Sequence, residues 1–438
     1  GQFLDDVART AARRGAGAPV LNACADRYHF AVGFAASLVR GKLSLLPSTR
    51  TPEVIAQLRR LAPDVVCLTD EEHCDIDLPQ LPIAPAAHTR AHPPAPPPAR
   101  AGAWETGAVP RIDAAQPAAW VFTSGSTGTP VPHRKTFGRL VDCMRIEAER
   151  LGFLDGRGYA IVATVPPQHM YGFESSVLAP LAAGCAFAAE RPFYPADICG
   201  TLAALPRPRI LVSTPIHLRA LVASGLPLPA TDLVVSSTAP LAQQLALEVE
   251  ARFGTELREI YGSTETGSLA ARRPTASAAW RLWSGVQLEA RDGETWASGG
   301  HIEQPTRMCD VLEVTGGDRF LLHGRLADLV NIAGKRSSLA YLNHQLNSIP
   351  GVVDGAFFHG SGGEQQELDA AVTRVGACVV APGLDAAAIL GELRRRIDPV
   401  FLPRPLLVVA SLPRTSTGKL PQEALRSLAA AHARPQGA

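Results

Sequence analysis

The feature that most limits how this chain folds is the alternation between residues 20 and 70. VLNACA reads as a short strand, AVGFAASLVR as a helix and GKLSLLPS as a strand. TPEVIAQLRRLA then reads as a helix opened by Thr51 with Pro52 in its first position, and DVVCLTD as a strand. Parallel strands cannot be joined by a tight turn. A β-α-β-α-β rhythm therefore commits the chain to a parallel sheet with helices on its faces. Between 79 and 110 the rhythm stops, and nine prolines, including PPAPPP, predict a surface loop or semi-rigid linker.

The alternation then resumes. AAWVFTS is a strand running into a glycine turn, FGRLVDCMRIEAERLGF a helix, YAIVATVP, RILVST and TDLVVSS strands, and LAQQLALEVEARFG a helix ended by Gly254. From about 280 the pattern is β-rich: VQLEA, ETWAS and DVLEVTGGDRFLLHG, the last with a GGD hairpin turn. After Arg325 a new α/β unit begins, with LAYLNHQLNSI and DAAAILGELRRRI as helices and VVDGAFF, ACVVA and PLLVVA as strands. The expected fold is α/β. A large N-terminal domain (1–325) would hold mixed and parallel sheets with helices plus a small β-rich subdomain, followed by a small α/β C-terminal domain (326–438).

Composition narrows the function classes. The 42 basic and 41 acidic residues give a net charge of +1, which argues against a partner held mainly by nucleic-acid phosphates or an anionic membrane surface. With 46% hydrophobic and 19% charged residues the chain builds a large core. No apolar run reaches the ~18 residues of a membrane span; the richest stretch runs from Phe30 to Val39. The start, GQFLDDVART, lacks a basic-then-apolar signal pattern. The eight cysteines include no CxxC pair and no His/Cys cluster at zinc spacing, so reduced thiols, a cytoplasmic setting and no structural metal are expected. Only four of the 42 basic residues are lysine: Lys42, Lys135, Lys335 and Lys419. A GC-rich genome accounts for the arginine excess but leaves the persistence of those four to explain. Lys42, following a helix, reads as a solvated surface charge.

Four short signals could carry chemistry. Thr123-Ser124-Gly125-Ser126-Thr127-Gly128-Thr129-Pro130 follows the strand AAWVF; its glycines let successive N–H groups point at one anion, and its hydroxyls add donors. Alone it is either a polar turn or a phosphate site. GxxxxGK[ST], GxGxxG and GxSxG are all absent. Tyr261-Gly262-Ser263-Thr264-Glu265-Thr266-Gly267 places an aromatic ring, hydroxyls and a carboxylate together, as a surface turn or as a set able to stack a base and hold Mg²⁺. Gly324-Arg325-Leu326-Ala327-Asp328 precedes Gly334-Lys335-Arg336, and Leu412-Pro413-Arg414-Thr415-Ser416-Thr417-Gly418-Lys419 lies near the C-terminus.

In this order the four signals resemble the adenylate-forming superfamily, which includes acyl- and aryl-CoA ligases, nonribosomal adenylation domains and firefly-type luciferases. TSGSTGTP stands for its TSGSTGxPK, YGSTE for YGxTE, GRLAD for GRxDD and PRTSTGK for PRTxxGK, across roughly residues 20 to 428. The resemblance implies ATP and Mg²⁺, a carboxylic acid activated to acyl-AMP, and a thiol acceptor from CoA or a carrier-protein phosphopantetheine. It implies that Lys419 bridges the carboxylate and the α-phosphate and that Glu265 holds Mg²⁺, with Thr264 beside it. Thr123, Ser124, Gly125, Ser126, Thr127 and Gly128 would hold the β- and γ-phosphates, with Tyr261, Gly262 and Ser263 lining the nucleotide. PPQHMYG is similar to the family's PLFHxxG, which would put His169 at the acid's carboxylate; a partly buried histidine is the other reading. Thr238, Ala239 and Pro240, within Ser237–Leu241, resemble the GGAPL stretch beside adenine. Asp310 and Arg325 would reach the ribose, although Asp310 lacks the usual preceding Thr-Gly. The family's C-terminal domain is mobile, hinging after Arg325 and bringing the Gly334–Lys335 region to the thiol channel.

Three departures stand out. The loop lysine is replaced by Val131, leaving His133, Arg134 or Lys135 to supply its charge; Ala327 occupies the hinge position; and the N-terminal domain is short. The short form is similar to ligases of bacterial aryl-polyene and pigment clusters, which use hydroxybenzoate-like or cinnamate-like acids. Two other readings are an amino-acid-activating enzyme, with Glu174 facing the amine, and a silent homologue acting as a binding module.

Overall fold

The computed structural model describes residues 2–12, 18–47, 49–83, 109–124, 130–291, 294–325, 329–332, 335–360, 374–415 and 420–433. Two large sheets dominate. The first has six strands in the order Gln80–Pro82, Val66–Thr69, Val20–Asn22, Ser44–Leu46, Pro117–Ser124 and Pro130–Thr136. All neighbours in it are parallel except the last pair, which is an antiparallel hairpin. The second has nine strands. Ala186–Phe187, Ala160–Ala163, Arg209–Ser213, Leu233–Ser236 and Leu257–Ser263 run parallel, and Gly267–Arg272, Trp280–Leu282, Arg319–Arg325 and Asp310–Gly316 continue it antiparallel. Val286–Arg291, Glu294–Gly299 and Thr306–Arg307 form a small β-rich unit beside it.

The sheets are separated by a layer of helices. Phe137–Leu151 and the run from Met170 to Ala183 feed both cores, while Arg27–Val39 packs its apolar side against the six-stranded sheet. Leu140, Met170 and Phe173 pack towards the six-stranded sheet, while Cys143, Met144 and Ala179 pack towards the nine-stranded one. Phe173 is met edge-on by Phe34 at 4.9 Å and Phe30 at 6.1 Å. Pro52–Leu61 covers the outer face of the first sheet, and Pro195–Ala204, Pro215–Ala223 and Gln243–Phe253 cover that of the second. Buried on both faces, the parallel strands read as unbroken apolar runs, such as Arg209–Ser213, rather than as alternations.

One side chain ties the two sheets together through this layer. Arg27 is 1% exposed. Its guanidinium donates to Ser176 Oγ (3.1 Å), to the carbonyls of Ala163 (3.1 Å) and Val165 (2.9 Å), and to those of Ala188 and Glu190 (both 3.1 Å). All five of its N–H directions are thus used. Burial lowers its pKa to about 10, with Arg191 adding to the effect, so it stays charged at neutral pH.

The C-terminal portion has its own core around Val330, Leu342, Phe357, Val379 and Leu393. It contains a hairpin of Leu329–Ile332 and Lys335–Ser338, the helix Leu339–Asn347, and a sheet of Asp354–His359, Val375–Val380 and Leu406–Val408. Asp354 receives both terminal and inner nitrogens of Arg414 at 2.7 Å, and Arg219, on the Pro215–Ala223 helix, reaches the same carboxylate at 3.4 Å.

The α/β architecture matches the sequence expectation, and so do several details. Thr51 Oγ1 caps the Pro52–Leu61 helix through Val54 N at 3.4 Å, and Gly254 ends Gln243–Phe253 in the left-handed region at φ 66°. Three expectations are corrected. Within the proline-rich segment, Gln80–Pro82 forms an edge strand, while 84–108 lies outside the described residues. Lys42 is 3% exposed, so it is not a solvated charge. Pro130–Thr136, unassigned from the sequence because its prolines mask a strand pattern, pairs along the whole of Pro117–Ser124.

Arg27→Met should lower stability by about 3–5 kcal/mol, because it strands five buried acceptors, and Arg27→Lys should recover only part of this. Urea unfolding with unchanged m-values would read the loss.

Candidate functional site

Leu257–Ser263 and Gly267–Arg272 form a hairpin, and Thr264-Glu265-Thr266 is its three-residue turn. Gly267 closes that turn at φ 78°, where a residue with a Cβ is strained. Gly262 is required for a different reason: a Cβ there would lie 2.4 Å from the Gly267 carbonyl oxygen. The turn is pinned internally by Ser263 Oγ and Thr266 Oγ1 at 3.0 Å and by Thr266 N donating to Ser263 Oγ at 3.2 Å. Thr264 and Glu265 are therefore held at the tip, both partly exposed.

The neighbouring sheet grips this turn. Alternation along Pro130–Thr136 places Val131, His133 and Lys135 on one face and Arg134, exposed, on the other. Lys135 is 4% exposed and its Nζ donates to the Glu265 carbonyl at 2.8 Å. His133 Nε2 lies 2.9 Å from Thr123 Oγ1 and 3.8 Å from Glu265 Oε1. Of the three residues offered for the missing loop charge, His133 thus stands between the start of the Ser/Thr/Gly loop and the carboxylate. Lys135 holds the turn from behind, and Arg134 faces away. Burial lowers the pKa of both His133 and Lys135.

A second group converges beside the first, two residues back from the turn on the same strand. Tyr261 donates to Asp310 Oδ2 at 2.6 Å, and its ring packs against Trp280 (5.6 Å) and Phe320 (5.5 Å). Backbone register sets Arg325 directly opposite Asp310. Next door, the chain leaving Leu233–Ser236 passes through Thr238 at φ 81°, the single non-glycine residue with positive φ among the described residues. Strain of this kind survives where the surroundings fix it, and it falls here at the carboxyl end of a parallel strand, where α/β sheets bind ligands. Ser237 Oγ donates to the Ile260 carbonyl at 2.9 Å, anchoring the stretch that leads to Ala239 and Pro240.

The His169 segment crosses the same carboxyl ends. Tyr171 Oη lies 3.1 Å from the Ser213 carbonyl and 3.2 Å from that of Val235, which share its one proton. His169, partly buried, opens the Met170–Phe173 helix, and Gly172 sits where a Cβ would be 2.0 Å from the Pro166 carbonyl oxygen. The helix then widens into a π turn over Glu174–Leu178. That turn delivers Glu174 and Ser175 to a buried polar cluster which motif reading missed. Ser175 and Ser268 hydroxyls both donate to Glu147 at 2.7 Å, and Ser268 N donates to Glu174 Oε2 at 3.2 Å. Burial, with Glu147 adding to it and Lys135 opposing it, pushes Glu174 up to about 8. The signal available in sequence was the acidic Glu147 at a core-facing position of a helix.

Lys335 is exposed and pairs with Asp398 at 2.5 Å. Gly125, Ser126, Thr127, Gly128, Ala327 and Lys419 lie outside the described residues, as do the side chains of Ser124 and Arg325.

Residues 17–312 match the AMP-binding enzyme family. A 4-coumarate–CoA ligase of Rhodobacter capsulatus is 30% identical over 301 residues, covering 68% of this chain and 73% of that protein. An indoleacetate–CoA ligase of Aromatoleum aromaticum is 25% identical, covering 73% and 69%. ATP-bound MatB from Rhodopseudomonas palustris superposes with a TM-score of 0.78 at 19% identity, covering 97% of this chain and 92% of that one.

Two outcomes follow from the cluster and the turn. Glu174 keeps its proton in the folded chain up to about pH 8 but loses it near the ordinary carboxylate value, 4.5, when unfolded. The folded state therefore binds more protons in that window, and stability should fall as pH rises through it. Glu174→Gln should flatten this decline in melting temperature between pH 5 and pH 8. Lys135→Met, by freeing the Glu265 turn, should raise amide hydrogen exchange at Thr266 at least about tenfold, or ~1.4 kcal/mol of local opening.

Proposed function

The chain belongs to the AMP-binding enzyme family, and from that footing we propose that it activates a carboxylic acid with ATP and passes the acyl group to a thiol. What supports this most directly is the convergence of Thr123, His133 and Glu265 around the hairpin turn and of Tyr261 and Asp310 just behind it on the same strand. A polyphosphate bound against the first group and a ribose against the second would lie along the carboxyl ends of the parallel strands.

In the first step a carboxylate oxygen attacks the α-phosphorus and the bond to pyrophosphate breaks, giving acyl-AMP. In the second a thiol sulfur attacks the acyl carbon, loses its proton, and AMP leaves with the electron pair. The first step brings an anion against a polyanion, so cationic charge must meet the charge that develops. Lys419 is the compact ammonium suited to bridge the two. Glu265 is the residue that would hold Mg²⁺: a partly exposed hard oxygen donor at a rigid turn, with bound phosphates completing the coordination. When bound, the ion neutralises phosphate charge.

His169 and Thr264 are assigned to the reacting carboxylate and phosphate, Thr238, Ala239 and Pro240 to adenine, and Arg325 with Asp310 to the ribose. The portion after Arg325 is assigned as a domain that turns between the two steps, carrying Lys335 towards the thiol. Aryl acids and CoA are the preferred substrates, in line with the names of the two relatives; a carrier protein is the other thiol source.

Lys419→Ala should reduce acid-dependent pyrophosphate release by at least about a hundredfold. The same variant should still transfer pre-made acyl-AMP to thiol. Ordinary ATP–pyrophosphate exchange by it would refute the assignment, and no release by the wild-type protein across aromatic, fatty and amino acids would favour a silent homologue.

A further inference from the structure

All eight cysteines carry free thiols, and two of them meet near one edge of the six-stranded sheet. Cys67 lies on Val66–Thr69 and is buried; Cys74 lies in the loop that leads on to Gln80–Pro82 and is partly exposed. Gln80 draws them together. Its backbone is in register with Cys67, whose N–H donates to the Pro79 carbonyl at 2.8 Å. Its side-chain amide donates to the Cys74 carbonyl at 2.5 Å. Both cysteines enter the apolar cluster of Leu58, Val65 and Leu78, and their thiols are hydrogen-bonded to each other.

The pair is unequal in a way that suits stepwise oxidation. Burial, with Cys74 adding to it, pushes the Cys67 thiol up to about 12, so that it stays protonated at neutral pH. Cys67 is also 0% exposed, out of reach of any solute. Cys74 is the sulfur that a dissolved oxidant meets. The loop between the two carries Asp70, whose carboxylate accepts the N–H groups of Ala25 (2.9 Å) and Asp26 (3.0 Å) and lies 3.1 Å from His29 Nδ1. Those contacts fix the entry to Arg27–Val39. Just upstream, the Cys24 carbonyl accepts the side-chain amide of Gln168 at 3.0 Å, next to His169.

We propose that Cys67 and Cys74 are a modification site: an oxidisable dithiol that closes to a reversible disulfide on meeting a small disulfide such as oxidised glutathione, and so tightens the loop that bears Asp70. The Cys74 thiolate attacks one sulfur of the small disulfide; that S–S bond breaks and one glutathione thiolate leaves. Cys67, giving up its proton to water, then attacks the Cys74 sulfur and expels the second glutathione thiolate. Two protein thiols lose two protons and two electrons, and one small disulfide is reduced to two thiols. The sulfurs are already in contact, so closure keeps the pairing of Val66–Thr69 with Gln80–Pro82. A cross-link here narrows what the opened loop can sample. With Asp70 steadied, the backbone at Ala25 and Asp26 opens less often.

The test treats the full chain, with the exposed Cys309 replaced by Ser, with oxidised glutathione, alkylates it and maps its peptides by mass spectrometry without reduction. A Cys67–Cys74 link should form, reverse with dithiothreitol, and outweigh the Cys74–glutathione adduct at least about tenfold. Amide hydrogen exchange at Ala25 and Asp26 should slow at least about threefold in the linked protein. In Cys67→Ala the adduct on Cys74 should persist, and in Cys74→Ala the buried Cys67 should stay unmodified. Should Cys67→Ala fail to fold, the protein with both cysteines and Cys74→Ala still decide. A lasting Cys74 adduct where both cysteines are present, a link from either to another cysteine, no oxidation of the pair, or exchange that the link leaves unaltered overturns the inference. None of these measurements involves ATP or an acid, so the outcome is independent of the ligase reading.

Discussion

The arrangement of this chain depends on a charge placed where charges are expensive. Arg27 starts a helix packed on the six-stranded sheet and spends its whole guanidinium on acceptors from the Glu174–Leu178 turn and from chain at or just beyond Ala160–Ala163 and Ala186–Phe187 of the nine-stranded sheet. Apolar packing alone is non-directional and would let the two sheets settle at several offsets. A planar fork with five donors accepts one offset only. The site depends on that offset, because Thr123 and His133 come from one sheet and Glu265 from the other. The 2.8 Å contact between Lys135 and the Glu265 carbonyl spans the same pair of sheets.

Much of this was legible in sequence. The β-α-β-α-β run, the Thr51–Pro52 helix start, the Gly254 stop and the GGD hairpin are local signals with local causes, and each reappears in the structure. The motifs marked Glu265, Tyr261 and Asp310 as candidates, and the structure brings Tyr261 to Asp310. What sequence could not supply was the partner strand. Pro130–Thr136 contains two prolines and three charged or titratable residues, an unpromising edge strand by composition. Only pairing with Pro117–Ser124 reveals that alternate residues face the turn, and with that the separate parts taken by His133, Arg134 and Lys135.

The buried cluster was missed for a related reason. Cys143 and Glu147 sit one turn apart on a helix, but Glu174 and His301 are far from them in sequence, and the four belong to no shared motif. Their meeting is a product of tertiary packing, and nothing in their neighbours' periodicity announces it. Lys42 shows the same limit in reverse, since a lysine after a helix gives no local sign that it is buried.

Asp354 has a consequence for how the two ends of the chain communicate. Its carboxylate is shared between Arg414, which belongs to the same C-terminal portion and precedes Lys419, and Arg219, which belongs to a helix covering the nine-stranded sheet. The two bonds are unequal, at 2.7 Å and 3.4 Å. Any turning of the C-terminal portion would leave the short pair intact and break the long one. Asp354 thus joins a short bidentate pair inside the C-terminal portion to a longer, salt-sensitive contact with the helix covering the nine-stranded sheet, so that one carboxylate serves two kinds of tie at once.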